Sequence, residues 1–169
     1  MKISISSALI VGAAALLTAC GGGDGDTAAS GTSNAAAEAD PALVQAVKQR
    51  QANFQDMGAA FKAISDELRA GRPDSTTTDF SIDSVVRYGR QVKDWFPAGS
   101  GPELGIKMEA KANIWEDPEE FQARVTQLEE AMDGLAAAKG GDLETVQAAF
   151  RKAGGACKAC HDKFREEDD

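Results

Sequence analysis

Cys157-Lys158-Ala159-Cys160-His161, a short run near the end of the chain, decides how the rest of this sequence is read. C-x-x-C-H is the attachment signature for a c-type haem. Each thiol adds across a haem vinyl group to give a thioether, and the adjacent imidazole becomes the proximal iron ligand. Residues three or four apart share a helix face, so Cys157, Cys160 and His161 can address one flat macrocycle. A bare C-x-x-C is equally compatible with zinc or a redox disulfide. A zinc site would need a second C-x-x-C, which the chain lacks. A redox dithiol normally sits in a βαβ context, and nothing here reads as strands. A thioredoxin-like dithiol or a chance match is the alternative to haem.

The chain has three cysteines and one histidine. With Cys20 taken up by the N-terminus and Cys157 and Cys160 by haem, no thiol is left for a structural disulfide. His161 as sole histidine excludes a bis-histidine haem within one chain. The sixth iron position is then empty, or filled by methionine, lysine or an exogenous ligand.

The N-terminus reads as an address. Lys2 gives a minimal positive region, and Ile3 to Leu17 is an apolar stretch of about 15 residues, short for a membrane span and suited to a signal peptide. The ending Leu17-Thr18-Ala19-Cys20 resembles a bacterial lipobox, which would make Cys20 the lipidated first residue of an exported protein. An ordinary secretory peptide cleaved near Ala19 is the alternative. Gly21 after the cysteine resembles the signal for outer-membrane sorting of lipoproteins. Residues 20–40 hold no large apolar side chain and read as a lipidated cysteine with a flexible tether. The organisation expected is a leader over 1–19, this tether, and one folded domain over 41–169. Loss of Lys2 with the leader takes the formal charge from −9 to −10. Such acidity disfavours nucleic acid and anionic lipid surfaces as partners, leaving the lipid anchor as the membrane contact.

The folded part predicts an all-α, antiparallel four-helix bundle. Asp40-Pro41 opens the first helix with a cap and a proline at its first position. Leu43, Val47, Arg50, Phe54, Met57, Phe61, Ile64 and Leu68 then follow alternating steps of four and three, a bundle seam that stops at Gly71. A second helix is expected from about Asp79 to Trp95 with Ile82, Val85, Gly89, Val92 and Phe96 in rhythm, followed by a loop from Pro97 to about Ile114. Asp117-Pro118-Glu119-Glu120 opens the third helix, with Glu120 placed to complete a capping box. Its seam is Phe121, Val125, Leu128, Met132 and Leu135, ending at Gly140-Gly141. Asp142 caps the fourth, which carries Leu143, Val146, Phe150, Ala153, Cys157, Cys160 and Phe164. The haem cysteines therefore fall in a core-facing series, which puts the haem in the bundle.

Arg50 breaks the apolar rule of its seam. Burying a guanidinium without an anion is costly, and a haem propionate is the carboxylate that would answer it. The alternative is an arginine near the bundle end that reaches water along its stem. Gly154-Gly155, just before the motif, could admit the macrocycle or a neighbouring helix, or could kink the helix.

These pieces together resemble the class II c-type cytochromes, the cytochrome c′ family, over about Pro41 to Arg165. The matching residues are Arg50-Gln51, Phe54, Met57-Gly58 and Phe61, then Ile114-Trp115-Glu116-Asp117, and finally Cys157 to Asp162 with Phe164-Arg165. The resemblance implies one covalent haem c per chain and a propionate contact from Arg50. It puts Phe54 on the open side of the iron, Trp115 near the haem edge and Arg165 near the proximal face. Relatives with an apolar residue at the Phe54 position are usually five-coordinate, and those with methionine there are six-coordinate electron carriers. The acidic tail Glu166 to Asp169 departs from relatives that end in lysines, so no docking partner carries over.

The expected function is capture of nitric oxide or carbon monoxide in a crowded apolar pocket, as scavenger or sensor, without an established catalytic cycle. The competing reading is a six-coordinate periplasmic electron carrier with Met57 as distal ligand, since Met57 shares a face with Phe54. Met132 is a weaker candidate ligand, and Met108 in the loop reads as unrelated. The family often forms homodimers through its first two helices, and Val86 and Tyr88 read as exposed residues compatible with such a face.

Overall fold

Two Asp-Pro pairs start two of the four long helices, and both act as the sequence predicts. The computed structural model describes residues 39–167. The leader, Cys20 and nearly all of the tether lie outside the described residues. Among the described residues five α-helices form: α1 (Pro41–Arg69), α2 (Thr76–Gly89), the short α3 (Asn113–Glu116), α4 (Pro118–Ala138) and α5 (Leu143–Phe164). The carboxylates of Asp40, Asp117 and Asp142 accept the N–H groups of Ala42, Glu120 and Thr145 at 2.8, 3.1 and 2.8 Å. Each such cap satisfies an otherwise orphaned donor and is worth about 1 kcal/mol. The capping box at Asp117 is one-sided: the Glu120 carboxylate pairs with Lys163 of α5, tying the start of α4 to the end of the haem helix. Gly71 and Gly140, with φ of 71° and 74°, close α1 and α4 in the left-handed region where a side chain would strain.

The second helix differs from expectation at both ends. It begins at Thr76 because Ser75 is the cap, its hydroxyl accepting the Thr78 N–H at 3.1 Å while donating to Glu67 at 2.6 Å. It ends at Gly89, after which a 3₁₀ turn at Val92–Asp94 swings Trp95 inward to 9 % exposure. Gly89 is needed where it stands, since a Cβ there would lie 2.5 Å from Met132 Cγ of α4. The expected loop after Pro97 is also partly ordered, with a 3₁₀ turn at Pro102–Leu104 and the α3 turn.

α1 packs mainly along α2, and α4 along α5, with α2 against α4 joining the pairs. The long helices are those of a four-helix bundle, and among the described residues the β-structure is confined to an isolated Ala110–Arg165 bridge. No described helix is long and apolar enough to cross a membrane. Ile64, Ile82, Val85, Met132, Leu135 and Val146 are fully enclosed. Two expectations about burial are corrected, one for a seam residue and one for a residue read as exposed outside the seam. Leu143 is exposed, because the first turn of α5 projects past the core, and Val86 is buried, because the inward stripe of α2 is wide enough to include both Val85 and Val86. Tyr88 is half-buried, and Phe80 is the large side chain that α2 leaves in solvent, 73 % exposed.

Candidate functional site

α5 runs unbroken through Gly154-Gly155 to Phe164, so the motif is presented by regular helix without a kink. Cys157 and Cys160 are half-buried free thiols packed against the main core cluster. Burial pushes both thiols up, Cys160 to about 11 with Cys157 beside it. That is the reverse of a redox-active C-x-x-C, which needs a stabilised thiolate. No group of three or more metal-binding side chains occurs among the described residues, so zinc finds no site there. His161 follows at the exposed edge of the helix. Desolvation first, and the Arg165 guanidinium next, hold its imidazole below the usual value, favouring the neutral ring that ligates iron. Arg165 is placed by a bond from its Nε to Glu109 at 2.7 Å and by its backbone N–H to the His161 carbonyl at 3.0 Å.

The α1 side is built differently. Arg50 is only 3 % exposed, which excludes the reading in which it reaches water. Nη1 donates to Ser100 Oγ at 2.9 Å and Nη2 to Met108 Sδ at 3.2 Å. The guanidinium also lies over the rings of Phe96 and Trp115, 4.9 and 5.4 Å from their centroids. Burial lowers its pKa, and the charge of Glu103 opposes that shift. No carboxylate forms an ion pair with it among the described residues. A buried cation held by one hydroxyl, one thioether and two ring faces lacks a counter-ion among the described residues, and a propionate is an anion that fits it. Trp115 joins this end of the site, its Nε1 donating to the Pro97 carbonyl at 3.0 Å. Met108, read from sequence as unrelated, is thus a direct partner of Arg50.

Between these ends lies an apolar wall. Phe54, one turn after Arg50, meets the Trp95 ring edge-on at 4.9 Å. Met57 is buried in the same cluster at 8 % exposure. Phe61 stacks on Phe150 of α5 at 4.2 Å, and Gly154 makes room for it, a Cβ there falling 3.4 Å from the ring. The glycine therefore admits a neighbouring helix's side chain.

Sequence reasoning missed Ser100, Trp95 and Glu109. Ser100 sits in a Gly/Ser/Pro-rich stretch that reads as plain loop, yet it is wholly buried. The signal available was Arg50 itself: a seam arginine demands an acceptor from somewhere, and the loop was the unassigned source.

A four-helix bundle with C-x-x-C-H on its last helix and a buried arginine on its first defines a c-type haem protein. The chain belongs to the cytochrome c′ family: the model of that family, described as Cytochrome C′, matches residues 45–165. A cytochrome c′ of Pararhodospirillum photometricum is 31% identical over 122 residues, covering 71% of this chain and 95% of the relative. A cytochrome c′ of Rubrivivax gelatinosus is 45% identical over 69 residues, covering 40% of this chain and 54% of the relative, so that match spans only about half of its length. The crystal structure of cytochrome c′ from Rubrivivax gelatinosus superposes with a TM-score of 0.67 at 31% identity, covering 73% of this chain and 97% of that one. A nitric oxide complex of a variant cytochrome c prime from Alcaligenes xylosoxidans does so with a TM-score of 0.66 at 25% identity, covering 74% and 97%. The cofactor of the family is covalently attached haem c. The residues present fit it: Cys157 and Cys160 for the thioethers, His161 for iron and Arg50 for a propionate.

Proposed function

We propose that this protein ligates its haem iron through His161 alone and captures nitric oxide or carbon monoxide in an apolar pocket closed by Phe54. The observation that carries the reading is Phe54, a ring without a lone pair, fixed edge-on by Trp95 one turn from Arg50, in a chain with a single histidine. When bound, the haem supplies an iron with one open position that takes a small diatomic ligand.

The chain's own residues do the rest. Cys157 and Cys160 hold the macrocycle against α5, and Arg50 fixes its rim by pairing with a propionate. The Phe54 ring itself offers no hydrogen bond to a ligand, which favours nitric oxide and carbon monoxide over ligands that need a donor. Arg165, held by Glu109, stands beside the proximal imidazole. The solved nitric oxide complex of a related cytochrome c prime supports the ligand class. The leader and Cys20 extend the proposal to an exported, periplasmic protein lipid-anchored at the outer membrane. A homodimer would use α1 and α2, where Phe80 is exposed.

The test is the optical spectrum of the reduced protein with and without carbon monoxide. A broad high-spin spectrum that shifts on ligand addition is the expected result. Sharp low-spin bands indifferent to carbon monoxide would overturn it and assign Met57 as a sixth ligand in an electron carrier. Phe54→Ala should speed ligand binding, and an unchanged rate would remove Phe54 from the iron.

A further inference from the structure

Tyr88 is the chain's single tyrosine, and it stands at the outer end of a line of rings that leads to Phe54. Its ring lies 6.2 Å from Trp95, which lies 4.9 Å from Phe54. We propose that Trp95 and Tyr88 form an electron relay that carries oxidising equivalents from the haem pocket to the bundle surface when the protein meets a peroxide. The proposal rests on the reading that Phe54 faces the iron.

Phenol and indole are the aromatic side chains that lose an electron most readily, whereas phenylalanine serves only as packed bridging matter. A second exit is visible through Phe96 to Trp115, with ring separations of 6.2 and 5.9 Å. That route passes the buried guanidinium of Arg50, 4.9 Å from Phe96 and 5.4 Å from Trp115, whose charge opposes a positive hole on either ring. Among the described residues no such cation lies over the face of Trp95. Tyr88 does have one, since Arg87 lies 4.7 Å from its ring, but here a proton acceptor offsets it. The Tyr88 hydroxyl donates to Asp56 Oδ2 at 3.0 Å, so the phenolic proton can leave with the electron and the resulting radical is neutral. The same carboxylate holds the phenol's pKa above its usual value, so the ring is protonated at rest.

The chemistry balances over two copies of the chain. A peroxide molecule takes two electrons and two protons and becomes two waters. Each copy gives one electron from Tyr88 through Trp95 and one phenolic proton through Asp56. The two tyrosyl radicals then join by a carbon–carbon bond, and their ring protons return to oxygen to give dityrosine. Drawing the hole outward spares Met57, Met108 and the thioether sulfurs, the oxidisable groups closest to the site.

Because Tyr88 has no other tyrosine to pair with in its own chain, any dityrosine must link two molecules. The holoprotein is treated with hydrogen peroxide, then followed by freeze-quench electron paramagnetic resonance, dityrosine fluorescence and denaturing gel. A tyrosyl signal and a covalent dimer are expected, both lost in Tyr88→Phe and in Trp95→Phe, and weakened in Asp56→Asn. Absence of a tyrosyl signal in the wild type, or an undiminished one in Trp95→Phe, overturns the relay. Carbon monoxide spectra of the same samples keep the two readings apart: normal ligand binding without the radical sinks the relay alone.

Discussion

The two ends of the haem site are built by opposite means. On α5 the reactive groups lie within the five residues Cys157 to His161, and one regular helix presents them. On α1 the decisive side chain is Arg50, and its partners Ser100 and Met108 come from 50 and 58 residues downstream. The first arrangement needs helix geometry and nothing else. The second exists only once the segment after Pro97 has folded down onto α1. Covalent capture of the haem is therefore local, while the cation proposed to meet a propionate is placed by the tertiary structure.

The largest effect should come from the local half. In Cys157→Ala/Cys160→Ala no haem should stay with the chain after denaturation, as read by haem staining of a denaturing gel. Covalent haem in that variant would break the assignment of the motif. The next largest should come from Arg50→Met, which keeps most of the volume but leaves a buried propionate without its cation. Removing one partner of a buried pair costs about 3 kcal/mol, and urea unfolding of the holoprotein should register a loss of that order. Unchanged or raised stability would mean that no anion faces Arg50.

How much of this was legible in the sequence follows the same division. Three of the four long helix starts were readable because Asp40, Asp117 and Asp142 carry their signals beside the backbone they cap, whereas the start of α2 at Thr76 was placed too late. The haem motif was readable because three residues on one helix suffice to state it. Arg50 could be recognised as anomalous, since its neighbours Val47 and Phe54 set the seam. Its partners could not be found, because Ser100 and Met108 stand in a stretch without periodicity. The end of the second helix was misplaced for a related reason. Val92 and Phe96 continue the seam rhythm, but the close approach of Met132 at Gly89 and the inward turn of Trp95 are properties of packing. Val86 reads as an outward position only if the buried stripe of α2 is taken to be narrow.

Ser100 and Met108 allow the tertiary half to be graded. Ser100→Ala removes the hydroxyl that accepts from Arg50 at 2.9 Å in a fully buried place. Losing a hydrogen bond to a charged group there should lower stability by about 1.5 kcal/mol. Met108→Leu keeps shape and removes only a weak sulfur acceptor, so the loss should stay below about 1 kcal/mol. Equal losses in denaturant midpoint would show that the loop is held by packing alone and that Arg50 contributes little to seating it.

The smallest effect belongs to the turn between α1 and α2, which touches neither end of the site and so sets the baseline. Glu67 accepts from Arg72 Nε at 2.9 Å and from the Ser75 hydroxyl at 2.6 Å. The Arg72 bond first, and that of Ser75 next, hold its carboxyl down to about 2, from an ordinary value of 4.5. A carboxylate depressed in the folded state binds its proton more readily when unfolded. Its stabilisation is therefore complete above pH 4.5 and is lost as pH falls from there towards about 2. The main partner, Arg72, is largely exposed, so solvent screens much of this and the effect on stability should be small. Carboxyl NMR of the folded protein should give a Glu67 midpoint near 2, and Glu67→Gln should flatten the acid limb of the stability curve across that window. A midpoint near 4.5 would show that the turn is not held by this contact. The acid sensitivity of the holoprotein would then have to be sought at the haem site itself, in the proposed pairing of Arg50 with a propionate.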